Sequence, residues 1–286
     1  MKLIKYFFQF IIIFLLLFFF KILGLKLARF IASKLFLLFG PFFRSKKIIE
    51  KNITFAFSKS DKIFKNQIIN KMWESYGKIF AEYMFIKIFR KNSSKKYFDI
   101  KGQEILEKIK FSGEPVVFIS GHFDNFELMA MHIEKSGIDL AAIYRPLNNN
   151  FINPLMENIR KKYICHKQIK KGVSGTKEIL KYFKSGTSIA LMIDQRVSQG
   201  IRSTLFEREA LTTTIPAQFV KKFNCKIVPI YIERKIDENF ILEVMEPLSF
   251  SNDQTIENIT LKCNQILEEM ILRNPNQWIW SHNRWK

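Results

Sequence analysis

Residues 115–127 read PVVFISGHFDNFE, an apolar run that stops at Gly121, followed at once by His122 and five residues later by Glu127. A short continuous apolar run closed by a turn signal reads as a buried strand, and the ELMAMHIEK that comes next has helical spacing. On one unbroken helix, His122 and Glu127 would stand roughly 140° apart and could not cooperate. With the helix starting just after His122, the imidazole occupies the strand-to-helix turn and Glu127, in the first turns, reaches back to it. Gly121 then permits a tight turn and a close approach of ligand to backbone. This is the geometry of a catalytic pair on a strand–turn–helix unit.

Working outward, the texture from about residue 97 alternates short apolar runs with helical ones, which is the pattern of an α/β domain. Candidate strands are 97–101, 116–120, 140–144, 188–193, 227–232 and 240–244, with helices near 123–136, 151–162, 173–184, 214–223 and 254–272. Upstream, residues 46–95 carry apolar residues at three- and four-residue intervals, with Ser60 or Asp61 as a helix cap.

The N-terminal run YFFQFIIIFLLLFFF, Tyr6–Phe20, is apolar apart from Gln9 and is bounded by Lys5 and Lys21. Fifteen residues rise roughly 22 Å as a helix against a hydrocarbon core of roughly 30 Å, so snorkelling lysines are needed to span it. The following KILGLKLARFIASKLFLLFGPFF mixes apolar residues with Lys21, Lys26, Arg29 and Lys34 and reads as an amphipathic helix in the headgroup region. A cleaved signal peptide is the competing reading, opposed by the absence of a small-x-small cleavage site. The cation excess after Phe20 favours a cytoplasmic body. The division expected is therefore an anchor and amphipathic segment over 1–43 and one globular domain over 44–286.

The formal net charge is +20, which suits an acidic partner: nucleic acid, an anionic membrane or a phosphorylated lipid. The basic residues follow no nucleic-acid motif, so no nucleic acid is expected as a partner. With 35 Lys and 11 Arg, lysine is the default cation, and each arginine stands out for its fork geometry. Arg145, Arg160, Arg196 and Arg284 are the ones to follow. Cys165, Cys225 and Cys263 form no CxxC pair, which excludes a zinc knuckle or disulfide framework and fits a reducing compartment. His132 and His166 lack partners at ligand spacing.

His122 near a helix N-terminus sits where the dipole favours a neutral base, with Glu127 to fix its tautomer. The motif contains no Ser or Cys nucleophile, which favours direct attack by an activated substrate hydroxyl. At this point the chain resembles the late acyltransferases of lipid A biosynthesis, the lauroyl and myristoyl transferases of the His-x4-Glu lysophospholipid acyltransferase superfamily. GHFDNFE looks like that family's His–four-residues–acid block. Further similar blocks follow in order: YRPLNNNFINPLMENIR (Tyr144–Arg160), KGVSGTKEILKYFKSGTSIALMIDQ (Lys171–Gln195), TTTIPAQFVKKFNCKIVPIYIER (Thr212–Arg234) and NPNQWIWSHNRWK (Asn274–Lys286).

The resemblance implies a glycerolipid acyltransferase-like mixed sheet flanked by helices, with an N-terminal hydrophobic membrane-anchor helix. It implies transfer of a fatty acyl chain from acyl carrier protein to a hydroxyl of a lipid A precursor at the cytoplasmic face of the inner membrane. His122 would be the general base and Glu127 its orienting partner. Arg145, Asn148, Asn149, Arg160, Asp194 and Gln195 would contact substrate. No metal or organic cofactor is called for, because base catalysis and an activated thioester suffice. An acyltransferase of the same fold acting on another glycolipid or lysophospholipid, and a membrane-tethered basic binding protein without catalysis, are the alternatives. Two departures from the family pattern stand in the first block: Asp124 where relatives often carry Gly, and Phe126 where Trp is common. Asp124 either caps the helix start or brings its charge to bear on His122. Trp278, Trp280 and Trp285 form either an interfacial aromatic edge or the end of the core.

Overall fold

The computed structural model describes residues 2–91 and 96–286; Met1 and residues 92–95, the last of the helical stretch expected over 46–95, lie outside the described residues. Ten helices and nine strands are described, in the order α1 (Lys2–Phe39), α2 (Lys46–Ala56), α3 (Lys62–Glu82), α4 (Ile86–Arg90), β1 (Phe98–Lys101), α5 (Gln103–Ser112), β2 (Val117–Ser120), α6 (Glu127–Lys135), β3 (Leu140–Tyr144), α7 (Ile152–Tyr163), β4 (Lys167–Lys170), α8 (Val173–Lys184), β5 (Ser188–Met192), β6 (Ile201–Leu205), β7 (Arg208–Thr212), α9 (Ile215–Phe223), β8 (Ile227–Arg234), β9 (Phe240–Val244) and α10 (Ile256–Arg273). Seven strands make one sheet in the order β1-β9-β8-β2-β5-β3-β4, in which only the β8–β9 pair is antiparallel. This is the α/β domain expected from the alternation of short apolar runs and helices, with the mixed sheet that the resemblance implied.

β2, β5, β8, β3 and β4 all run the same way, so their carboxyl ends share one edge of the sheet. That edge is where open parallel sheets collect ligands. His122, Asp194, Arg145 and Lys171 all lie within two residues of such a strand end. A cavity of about 900 Å³ opens at the other edge instead, lined by Pro115, Val116, Lys226 and Glu246 among others, and includes none of these four residues.

Four described elements were not expected from the sequence, among them α5, which buries Ile105, Leu106 and Ile109. β4, KQIK, is an edge strand whose charges hide its periodicity. β6 and β7 form a separate hairpin joined by Phe206 and Glu207, at φ 51° and 57°. Both central residues are left-handed, as in a type I′ turn, yet neither is the Gly, Asn or Asp that signals one.

α1 is long and apolar enough to cross a membrane by length and composition, and a kink at Gly24 (φ 76°, ψ 163°) divides it into two helices, so the segment read as a separate helix begins a few residues later than expected. From Leu25 onward it packs along α3 through small residues: Ala28, Ala32 and Ser33 are buried against a surface that includes Gly77. A Cβ at Gly77 would lie 2.2 Å from the Ala32 carbonyl oxygen and 2.6 Å from its carbon, both backbone atoms that cannot swing aside. Gly77→Ala is therefore expected to separate the helices at a cost of roughly 2 kcal/mol or more. The thermal midpoint in detergent should fall by about 4 °C or more; an unchanged midpoint would show that this packing is not formed.

Candidate active site

The register of β2 on β5 builds the site. Ser120 pairs with Met192, and Ile193 N donates to Ser120 O at 2.9 Å, so two residues beyond each partner His122 meets Asp194. The His122 main-chain N–H donates to Asp194 Oδ2 at 2.7 Å, and the ring Nδ1 lies 2.8 Å from Oδ1. An ionised carboxylate only accepts, so Nδ1 carries the proton and Nε2 keeps a lone pair. Nε2 lies 3.5 Å from the Gln195 amide nitrogen, and Phe126 packs edge-on against the imidazole at 4.7 Å between centroids. Asp194 is fully buried and also accepts from Trp278 Nε1 at 2.9 Å. Burial alone would raise its carboxyl. The His122 imidazole, the two hydrogen bonds from His122 and the one from Trp278 outweigh burial and hold it below the usual carboxylate range.

Glu127 is elsewhere engaged. Its Oε1 accepts from Tyr83 Oη at 2.6 Å and from Arg160 Nε and Nη2 at 2.8 and 2.6 Å. The expectation that Glu127 reaches back to His122 is corrected: among the described residues the hydrogen bonds of the His122 ring go to Asp194 and Gln195. The cause is local. Residues 123–126 are not helical, Asp124 has a left-handed φ of 32°, and α6 begins only at Glu127, whose side chain meets Tyr83, just past α3, and Arg160 of α7. Burial would lower the Arg160 guanidinium, but Glu127 overrides it and secures its charge. Arg160 also lies 5.7 Å from the Tyr144 ring.

Asp124 does not load its charge onto His122. Arg234 donates to it through Nη2 at 2.6 Å and Nε at 3.2 Å, and Ser75 Oγ at 3.1 Å. Gly121 faces protein, because a Cβ there would meet Phe123 and Leu267 at about 3 Å. Of the remaining expected residues, Arg145 and Asn148 are exposed beyond β3. Asn149 is buried; its amide donates to Tyr6 O at 2.9 Å and its oxygen accepts from Phe151 N and Ile152 N, so it starts α7 and ties it to α1.

A model of the bacterial lipid A biosynthesis acyltransferase family matches residues 1–286. The chain belongs to that family. It is similar to the lipid A biosynthesis palmitoleoyltransferase of Escherichia coli (strain K12), 22% identical over 90% of this chain and 84% of that protein. It is also similar to the lipid A biosynthesis lauroyltransferase of the same organism, 23% identical over 85% and 79%. A solved structure, the 1-acyl-sn-glycerophosphate (LPA) acyltransferase PlsC from Thermotoga maritima, matches with a TM-score of 0.43 and 12% identity over 89% of this chain and 96% of that one.

In this acyltransferase the C-terminal tryptophans finish the core: Trp278, Trp280 and Trp285 are 1%, 0% and 7% exposed, so they form no interfacial edge. The segment they anchor wraps the turn that carries His122, with Phe123 bridged to Trp278 and Asp124 N donating to Gln277 O at 2.8 Å. Arg284, buried, donates to Leu211 O at 2.6 Å and Thr212 Oγ1 at 2.7 Å and fastens the β6–β7 hairpin. Among the described residues Arg196 hydrogen-bonds to Ser198, at 3.3 Å. Tyr83, Trp278 and Arg234 are the residues sequence reasoning missed; none belongs to the His–acid motif, and only the terminal Trp run gave a signal.

His282 lies in the same segment, and burial pulls its imidazole down to about 4. It stays neutral in the folded protein, whereas the unfolded chain takes up a proton near pH 6.5. Stability is therefore lost as pH falls from about 6.5 toward 4 and the loss levels off below that. His282→Gln should remove part of this decline in the unfolding midpoint across that window; an identical slope in the variant would contradict the assignment.

Proposed function

We propose that this acyltransferase moves a fatty acyl group from the thioester of acyl carrier protein to a hydroxyl or hydroxyacyl group of a lipid A precursor, at the cytoplasmic face of the inner membrane. The observation that carries the reading is the His122–Asp194 pair, which leaves Nε2 as a base at the ligand-collecting edge of the sheet. Family membership and the two Escherichia coli relatives support the lipid A acceptor. The net charge of +20 suits an acidic carrier protein, and the apolar α1 supports a membrane setting.

Asp194 holds the Nδ1–H tautomer and stabilises the imidazolium that forms. Nε2 takes the acceptor hydroxyl proton as the oxygen attacks the thioester carbonyl. Collapse of the tetrahedral adduct breaks the C–S bond, and the departing thiolate recovers the proton from His122, so no acyl-enzyme is formed. Arg160, oriented by Glu127 and Tyr83, and the exposed Arg145 and Asn148 supply cations and donors for phosphate groups of donor or acceptor.

The test is transfer from labelled acyl carrier protein to a tetra-acylated, Kdo-bearing lipid A precursor in detergent. His122→Ala should abolish transfer, and Asp194→Asn should lower kcat on the order of 10²-fold or more with KM little changed. Glu127→Gln should act through Arg160, raising KM. Full activity of His122→Ala, or no transfer by the wild type with several acyl lengths, would overturn the reading; transfer to a lysophospholipid instead would reassign the acceptor.

A further inference from the structure

Of the cations in the second half of α1, Lys26 and Lys34 are exposed whereas Arg29 turns inward and is 6% exposed. Its Nε donates to Glu82 at 2.5 Å, and its guanidinium lies 5.6 Å from the Phe89 ring and 5.7 Å from that of Phe240. Glu82, at the end of α3 and wholly buried, also accepts from Arg234 at 2.6 and 3.0 Å and from Asn125 Nδ2 at 2.7 Å. Arg234 then grips Asp124 with two hydrogen bonds. An unbroken chain of charge-assisted bonds thus runs from the apolar N-terminal helix to the two residues that follow His122 and Phe123.

Two guanidinium groups and two carboxylates cancel inside the protein, and removing any one leaves an uncompensated charge. The turn depends on them. Asp124 adopts a left-handed φ of 32°, a conformation unfavourable for a residue with a Cβ, so its side-chain bonds must hold it there. That residue fixes how the chain leaves His122 to enter α6. If the contact of α1 with α3 served packing alone, apolar side chains would do as well as four buried charges.

We infer that Arg29 is a positioning residue for His122, so that α1 is a working part of the catalytic turn as well as a tether. The inference rests on the reading of His122 as the base. Losing Arg29 draws Arg234 toward Glu82, weakens its hold on Asp124 and lets the turn relax.

The experiment uses the full-length protein in detergent micelles and reads two quantities. One is the rate at which diethyl pyrocarbonate modifies His122, followed by peptide mass spectrometry against His166, whose side chain is 71% exposed. The other is steady-state acyl transfer. Arg29→Gln should raise the relative reactivity of His122 about 5-fold and lower kcat about 10-fold, with KM within about 2-fold. Arg29→Lys, which keeps the charge without the fork, should fall between, at about 2-fold on each. Lys26→Gln should match wild type. A folded Arg29→Gln with wild-type His122 reactivity and kcat overturns the inference. So does an Arg29→Gln that fails to fold alongside an Arg29→Lys indistinguishable from wild type, which would make Arg29 purely structural. If His122 reactivity shifts while the wild type transfers no acyl group, the positioning role stands and the proposed reaction fails.

Discussion

The parallel pairing of β2 with β5 is the constraint on which the site depends. Because Ser120 stands opposite Met192, the chain has no choice about which side chain meets His122 two residues further on. All four residues of β2 are buried, so a slip would misfit packed side chains on both faces of the sheet, and that packing fixes the register. Asp194 is consequently placed by the sheet, not by a loop. It is wholly buried, and three N–H donors, two from His122 and one from Trp278, offset its desolvation. A carboxylate held this firmly gives the imidazole a fixed tautomer at little cost in reorganisation.

Around this pair the protein keeps its other charges occupied with one another. Glu127 is engaged by Arg160 and Tyr83. Asp124, two residues from His122, is neutralised by Arg234. Burial raises the Glu82 carboxyl less than Arg234 and Arg29 lower it, and it remains ionised as the hub of that group. Buried ion pairs of this kind contribute little net stability, and their use at a turn with a left-handed non-glycine residue is to specify one geometry.

The fold was largely legible because the strands of a parallel sheet are short apolar runs, and the six runs identified in the sequence are all strands. β4 escaped because an edge strand carries charge, and the β6–β7 hairpin because its turn uses Phe206 and Glu207 where a glycine would have announced it. The place of His122 just after a strand was legible, whereas its hydrogen-bond partner was not. Sequence spacing points to the acid five residues away, but contact across a sheet is decided by register, which pairs positions 72 residues apart. In the sequence Asp194 is a residue at a strand end, expected there to contact substrate, and nothing in its spacing points to His122. The same limit hides Arg234 as the partner of Asp124, 110 residues distant.

The tautomer of His122 is the most direct measure of the whole arrangement. With ¹⁵N-histidine incorporated into the full-length protein and the resonance assigned by loss in His122→Ala, the ring nitrogens report which one carries the proton. Protonated Nδ1 and bare Nε2, with the pattern lost in Asp194→Asn, is the result the structure requires. A proton on Nε2 in the wild type, or a tautomer indifferent to Asp194, would contradict it.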